Sequence, residues 1–140
     1  MEKRKKIWIA VLIVLLCILL LSVEFIPFSI GGKVVYNNEY TGVSFEDELT
    51  EEELAAVKQI LNGKAKNSIF EGIPSCGSSW DIALIVNGRR YMLALDTCGT
   101  VFVGSKLIPY ASFSYMDISN EEQDILEKIF TSRGGTFPCI

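Results

Sequence analysis

The side chains available for chemistry in this sequence of 140 residues are thiols and carboxylates, because it contains four cysteines, 17 aspartates and glutamates, and no histidine. The absence of histidine excludes Ser-His-Asp and Cys-His catalysis, histidine-ligated metal sites and an imidazole pH switch. A thiol–disulfide enzyme is disfavoured, because the chain has no CxxC pair. We therefore expect no catalytic residues, no metal site and no cofactor.

Three of the cysteines, Cys76, Cys98 and Cys139, are disulfide candidates. The hairpin register described below places residue 76 almost opposite residue 99, so Cys76 and Cys98 are predicted neighbours that a disulfide would join. Because the number is odd, Cys139 could instead pair with either of them or stay free for an intermolecular bond. Cys17 lies in an apolar run and is interpreted as an apolar filler.

Catalysis by a pair of carboxylates is the one enzymatic mechanism that remains. Two Asp or Glu side chains suffice for glycan hydrolysis when they share a cleft at roughly 5–10 Å. Asp81, Asp96 and Asp117 fall on predicted strands or turns, so a small carboxylate-based hydrolase is the enzymatic alternative. The acidic cluster at residues 46–48 and 51–53 lacks the spacing and central glycine of an EF-hand, and it is interpreted as complementing a helix N-terminus.

Two short segments resemble parts of enzyme families. Residues 76–80 (CGSSW) resemble the nucleophile segment of papain-like proteases, with Ser79 at the nucleophile position, but that family needs a histidine base. Residues 93–101 (LALDTCGTV) resemble the first motif of haloacid-dehalogenase-type enzymes, with Asp96 as nucleophile. There Cys98 replaces the second aspartate, and the predicted hairpin does not suit a parallel sheet. Neither resemblance supports an activity.

The N-terminus is predicted to be a signal anchor. Residues 1–6 contain four basic side chains and form a cytoplasmic tail, because basic flanks stay inside. The run 7–23 has only Ser22 as a polar residue, and with the residues up to 26 it is long enough to cross a bilayer of about 30 Å. A cleaved signal peptide is the alternative. We expect a single-pass protein of the cell membrane with an extracytoplasmic C-terminal domain.

The rest of the chain predicts an α+β domain at residues 49–140, after a linker with one short strand at residues 27–48. Thr50 with Glu53, and Ser119 with Glu122, have the spacing of helix capping boxes. The two predicted helices therefore enclose a segment of antiparallel strands in sequence. This pattern predicts an antiparallel β-meander of about four strands between two helices.

A hairpin is the strongest local prediction of that meander. Residues 80–86 and 89–96 flank Asn87-Gly88, the favoured two-residue turn. The predicted pairs, all on one apolar face, are Leu84 with Tyr91, Ile82 with Leu93 and Trp80 with Leu95. The following turn, with Gly99 in the left-handed conformation, predicts that Leu93 pairs with Val103. A fourth strand is expected over residues 111–118.

We expect a binding or interaction module. Residues 31–140 hold 9 basic and 15 acidic side chains, so nucleic acid is not an expected partner. Arg89 and Arg90 follow the hairpin turn and are candidate contacts for an acidic partner or lipid head groups, and Phe102 lies on a second, also apolar, sheet face. The expected partners are membrane lipid, through the N-terminal helix, and a protein. The layout is typical of bacterial envelope proteins, including inhibitor or immunity types; the non-enzymatic alternative is a disulfide-linked structural subunit.

Overall fold

The apolar N-terminal run forms one helix, α1 (Glu2–Phe25), in the computed structural model, which describes residues 2–25 and 31–139. This helix is long and apolar enough to cross a membrane, and a signal sequence would have the same properties. The basic tail is part of the helix rather than an extension before it. Residues 26–30, where the predicted span passes into the predicted linker, lie outside the described residues.

The α+β prediction is confirmed, but the sheet has more strands than the four expected. Seven antiparallel strands form one sheet in the order β2-β1-β4-β5-β6-β7-β3. The elements after α1 are β1 (Gly32–Asn38), β2 (Val43–Glu48), α2 (Glu51–Leu61), β3 (Asn67–Ser68), β4 (Ser78–Val86), β5 (Arg89–Ala94), β6 (Thr100–Gly104), β7 (Ser112–Asp117) and α3 (Asn120–Thr131).

The largest difference lies at residues 32–48, which the sequence pattern assigns to a linker with one short strand. They form the β1–β2 hairpin, and β1 is an interior strand between β2 and β4. Val34 and Tyr36 of β1 are completely buried. The strand character of β2 is hard to recognise in sequence because it ends in three consecutive acidic residues, which resemble the flank of a helix.

Both helices begin at the predicted capping boxes. The Thr50 hydroxyl accepts a hydrogen bond from the Glu53 amide (3.2 Å), and the Glu53 carboxylate accepts one from the Thr50 amide (2.9 Å). Ser119 and Glu122 repeat the arrangement with the same two distances. Each box satisfies backbone donors that have no partner inside the helix.

Both helices cover the same side of the sheet, which we call the helix-covered face. Apolar residues of α2 and α3 pack there against alternate residues of the strands, and Phe130 and Leu126 are completely buried. The Tyr36 hydroxyl accepts a hydrogen bond from the Thr136 amide (3.1 Å) and so connects β1 to the segment after α3. The opposite side is called the open face, because no helix of the described residues belongs to its apolar cluster.

The β4–β5 hairpin has the predicted turn and register near the turn. Asn87 and Gly88 adopt positive φ values of 51° and 75°, and Leu84 pairs with Tyr91. The predicted pairing of Trp80 with Leu95 is wrong. An irregularity in β4 between Ser78 and Ala83 shifts the register, and Trp80 packs against the cluster on the open face.

The β5–β6 register differs from the prediction by two residues. Leu93 pairs with Val101 rather than with Val103, because β5 ends at Ala94 and the connection to β6 is longer than a three-residue turn. Gly99 has the predicted positive φ, 75°. Since side chains alternate with a period of two, this even shift leaves each residue on its predicted face.

Candidate functional site

The open face carries an aromatic cluster at its centre. Ala83, Met92 and Phe102, from three adjacent strands, are buried there, and half-exposed Trp80 and Tyr115 pack around them. The Phe102 and Tyr115 rings lie 6.3 Å apart. A small apolar core therefore exists on this face without any covering helix from the described residues.

Trp80 lies flat enough on the sheet to cover Gly104. A Cβ at residue 104 would come within 3.2 Å of Trp80 Cζ3 and 3.1 Å of the Arg90 carbonyl oxygen, tighter than ordinary contact. Glycine at this position thus provides the space that the indole occupies. Tyr110 also packs against the indole, with ring centroids 5.4 Å apart.

Arg90 is held against the same indole. Its guanidinium carbon lies 5.0 Å from the Trp80 ring centroid, a cation–π arrangement, and its Nη1 donates a hydrogen bond to the Trp80 carbonyl oxygen. Burial lowers the pKa of Arg90, while Asp81 and Glu46 act to raise it. The group stays charged at any physiological pH. The open face therefore presents a partly desolvated cation over an aromatic surface.

A second pair of aromatic side chains lies near the start of β7. Phe113 of β7 stacks with Phe70 from the segment after β3, at a centroid distance of 6.4 Å. Phe70 is 82% exposed and Phe113 44% exposed, so this pair faces solvent. The amide of Ile69 donates to the Phe113 carbonyl oxygen (3.2 Å), which fixes the segment carrying Phe70.

Two of the three predicted partner contacts lie on the open face. Arg90 and Phe102 belong to this surface, as described above. Arg89 does not, because it pairs with Val86, whose side chain packs into the helix-covered core, and directly paired residues share a face. Its Nη1 donates to the Gly104 carbonyl oxygen (3.4 Å).

Five aromatic residues described above were not among the predicted contacts: Phe70, Trp80, Tyr110, Phe113 and Tyr115. Trp80 had been placed on the wrong face, because strict alternation along β4 does not allow for the irregularity. Phe70 and Tyr110 lie in connections without periodicity. Phe113 is on a predicted strand, but the sequence pattern does not indicate that its ring is exposed against Phe70.

The cysteines divide as the preferred pairing predicted. Cys76 and Cys98 form a disulfide with Cα atoms 6.4 Å apart. Ligand atoms of Asp96 and these two cysteines lie within 4.8 Å of one another, but sulfurs joined in a disulfide offer no thiolate to a metal ion. Cys139 is free and buried, with its thiol donating to the Thr136 carbonyl oxygen (3.0 Å).

Two of the three candidate carboxylates of a hydrolase, Asp81 and Asp117, lie far apart in the sheet. Asp81 lies on β4 and Asp117 on β7, three strand spacings apart, or about 14 Å at the usual spacing. This exceeds the separation of catalytic carboxylate pairs. Asp117 accepts a hydrogen bond from the Asn67 side chain (3.1 Å), and Asp96 lies beside the disulfide.

Comparisons with known proteins identify no relative of this chain. No protein-family model matches it, and neither the curated proteins nor the solved structures contain a significant match. The surface chemistry of the domain is therefore the basis for a functional proposal.

Proposed function

We propose that this chain is a membrane-anchored, extracytoplasmic binding module that binds a protein partner through the open face of its sheet. The observation that carries the proposal is the cluster of Trp80, Arg90, Phe102, Tyr110 and Tyr115 on a sheet face that no described helix covers. Trp, Tyr and Arg are the residues that most often dominate the binding energy of protein interfaces. Sheet faces of soluble domains are otherwise usually covered or polar.

The chemistry of the cluster indicates the kind of surface that it would bind. Trp80 and Tyr115 are half-exposed, and the exposed Phe70–Phe113 pair lies near the start of the strand that carries Tyr115. Arg90 supplies a charge that is already partly desolvated, and a partner carboxylate would satisfy it at a lower desolvation cost. The partner surface that fits best is apolar with at least one carboxylate near its centre.

The anchored, extracytoplasmic arrangement rests on two other features. Helix α1 has the length and apolar composition of a span, with basic residues at its N-terminal end. The Cys76–Cys98 disulfide fits an oxidising compartment, where disulfides persist. The carboxylate hydrolase has weaker support, because Asp81 and Asp117 are too far apart for joint catalysis. A disulfide-linked subunit has weaker support because the Cys139 thiol is buried.

Site-specific photo-crosslinking of the full chain in its native membrane tests the binding role. A photoreactive residue replaces Tyr115 on the open face or, as the control, Ile125 of α3, which is exposed (46%) on the other side of the domain. We expect a discrete protein adduct from position 115 and none from position 125. Arg90→Gln, which removes the charge and keeps an amide donor, is expected to weaken that adduct. Equal adducts at both positions, or none at position 115, would contradict the proposal.

A further inference from the structure

The chain enters the domain at one end of the sheet, which we call the Gly32 end. Gly32 pairs with Val86, the last residue of β4, and the Gly31 carbonyl oxygen accepts a hydrogen bond from the Asn87 amide (3.4 Å). Because all neighbouring strands are antiparallel, β6 also finishes at this end and β7 starts there. The β6–β7 connection, residues 105–111, therefore lies at the Gly32 end.

Covalent geometry keeps this end near the membrane if α1 spans it. Helix α1 ends at Phe25 and β1 begins at Gly32, and seven residue steps reach at most about 25 Å in any conformation. The opposite end of the sheet is farther away by the length of β4, nine residues, or about 30 Å. The 105–111 connection, at the tethered end of the sheet, is thus within reach of the bilayer.

The side chains of this connection match the interface of a bilayer. Leu107 and Ile108 are exposed (41% and 52%), and Tyr110 is 78% exposed. Lys106 precedes this apolar pair, and Arg89 lies beside the neighbouring turn. Aliphatic side chains flanked by tyrosine and by cations are typical of segments that lie in the headgroup region.

Backbone groups of the connection already have hydrogen-bond partners near Leu107 and Ile108. The Ser105 hydroxyl accepts hydrogen bonds from the Leu107 and Ile108 amides, both at 3.2 Å. Backbone bonds join the Ser105 amide to the Ala111 carbonyl oxygen (2.8 Å) and the Ala111 amide to the Ile108 carbonyl oxygen (3.3 Å). Placing Leu107 and Ile108 among acyl chains would leave fewer backbone groups to desolvate without partners.

The charge distribution across the Gly32 end favours contact between the lipid surface and the β6–β7 side of the domain. The acidic residues 46–48 of β2 and 51–53 of α2 are also at this end, but β2 is four strand spacings from β6, about 19 Å. An anionic lipid surface repels that acidic margin and attracts the margin carrying Arg89 and Lys106. The domain would therefore tilt so that the 105–111 connection meets the lipid.

We propose that the 105–111 connection is a membrane-contacting loop, with Leu107 and Ile108 inserted at the acyl–headgroup boundary and Arg89 and Lys106 near lipid phosphates. This inference rests on the proposed membrane anchoring of the chain through α1. It adds a second contact with lipid, which would orient the open face relative to the bilayer.

Fluorescence quenching by brominated lipids tests this loop in the full chain. Trp8→Phe leaves Trp80 as the background fluorophore, and a second tryptophan is introduced by Ile108→Trp or, as the matched control, by Tyr40→Trp. Tyr40 is 94% exposed on the β1–β2 turn at the opposite end of the sheet. The proteins are reconstituted in vesicles of phosphatidylglycerol and phosphatidylcholine brominated in the acyl chains. After subtraction of the Trp80 signal, we expect quenching at position 108 to exceed that at position 40 at least twofold, and to fall at high salt.

Three other outcomes have distinct meanings. Equal quenching at positions 108 and 40, in protein that remains with the vesicles after alkaline washing, would overturn the loop insertion and leave the anchor intact. If the tryptophan at position 108 is shielded from solvent in native membranes but not in pure lipid vesicles, the loop insertion would also be overturned. The loop would then be assigned to a protein contact. Protein that washes off the vesicles would contradict the anchoring itself.

Discussion

Arg133 connects the end of α3 to the first turn of α2 through a two-pronged contact with Glu53. Its Nη1 donates to one Glu53 oxygen at 2.8 Å and its Nη2 to the other at 2.7 Å. Glu53 is also the capping-box residue of α2. One carboxylate therefore serves both the helix terminus and the α2–α3 contact, and its ionisation is linked to folding.

We predict that Arg133→Met lowers the free energy of unfolding by about 2 kcal/mol at neutral pH, since bonds between charged groups are the stronger ones. The Arg133 hydrogen bond is the largest cause of the lowered pKa of Glu53. Because the pKa is lower in the folded state, the stabilisation is complete above the ordinary value of 4.5. It is lost as the pH falls through the folded-state pKa. Denaturant unfolding of the full chain in detergent, from pH 7 to pH 3, measures this.

Lys33→Met is the matched control for that prediction. The Lys33–Glu46 pair is exposed, with side-chain exposures of 52% and 59%, and such pairs contribute at most about 1 kcal/mol. We expect this variant to unfold within about 0.5 kcal/mol of the parent. A deficit of Arg133→Met that is undiminished at pH 3 would show that the Glu53 contact is not its source.

The second prediction concerns the space above Gly104 on the open face. Gly104→Ala forces Trp80 off the sheet or strains the Arg90 backbone, because the added methyl would lie 3.2 Å from the indole and 3.1 Å from the Arg90 carbonyl oxygen. We expect a loss of about 1–3 kcal/mol of stability and a red shift of Trp80 emission in a Trp8→Phe background. Gly72→Ala is the control, because a Cβ there meets nothing within 4 Å. Unchanged emission in Gly104→Ala would contradict the position of the indole.

The sequence predicts correctly those features that depend on residues close together in the chain. Capping boxes and the Asn87-Gly88 turn depend on residues a few positions apart, and both are confirmed. The sequence places Trp80 on the wrong face, because apolar residues recur at every second position from 80 to 86 and nothing in that pattern indicates the irregularity. Arg90 lies next to a correctly predicted turn, and Phe102 is on its predicted face because a register shift of two residues does not change the alternation of side chains.

Longer-range features were less predictable. The position of β1 inside the sheet follows from its pairing with β4, which lies more than forty residues later in the chain, and no local pattern indicates that contact. The stacking of Phe70 on Phe113 likewise brings a connecting segment against a strand. The Cys76–Cys98 disulfide was predicted because the hairpin between them sets their approach, even though the irregularity in β4 moves the pairing there by three residues, so that Ser78 pairs with Ala94.

The third prediction addresses that disulfide, which closes a loop with a sequence separation of 22. Replacing Cys76 and Cys98 together by alanine is expected to lower the free energy of unfolding by about 3 kcal/mol, from the larger entropy of the unfolded chain. Reductant should cause a similar loss in the parent and none in the double variant. Cys17→Ala, which changes an exposed residue of α1, serves as the control. Equal stability of the parent with and without reductant would contradict a stabilising role for the bond.

The fourth prediction concerns the thiol of Cys139. Burial is the largest cause of its raised pKa, and the Cys139 amide also donates to the Leu95 carbonyl oxygen (2.9 Å), which holds the segment against the sheet. Because the thiolate is the reactive form and needs access, we expect alkylation by iodoacetamide to be at least about 100-fold slower in the folded chain than in denaturant. A Cys17→Ala background leaves Cys139 as the only free thiol.

The same background distinguishes a monomeric binding module from a disulfide-linked subunit. With the Cys139 thiol enclosed beside Tyr36 and Thr136, the protein extracted from membranes under non-reducing conditions should migrate as a monomer. A covalent dimer that disappears on reduction, and that Cys139→Ala abolishes, would instead require the C-terminal segment to leave the sheet. It would then make the structural subunit the better description of this protein, because the pairing of two chains through Cys139 cannot occur while that thiol is buried.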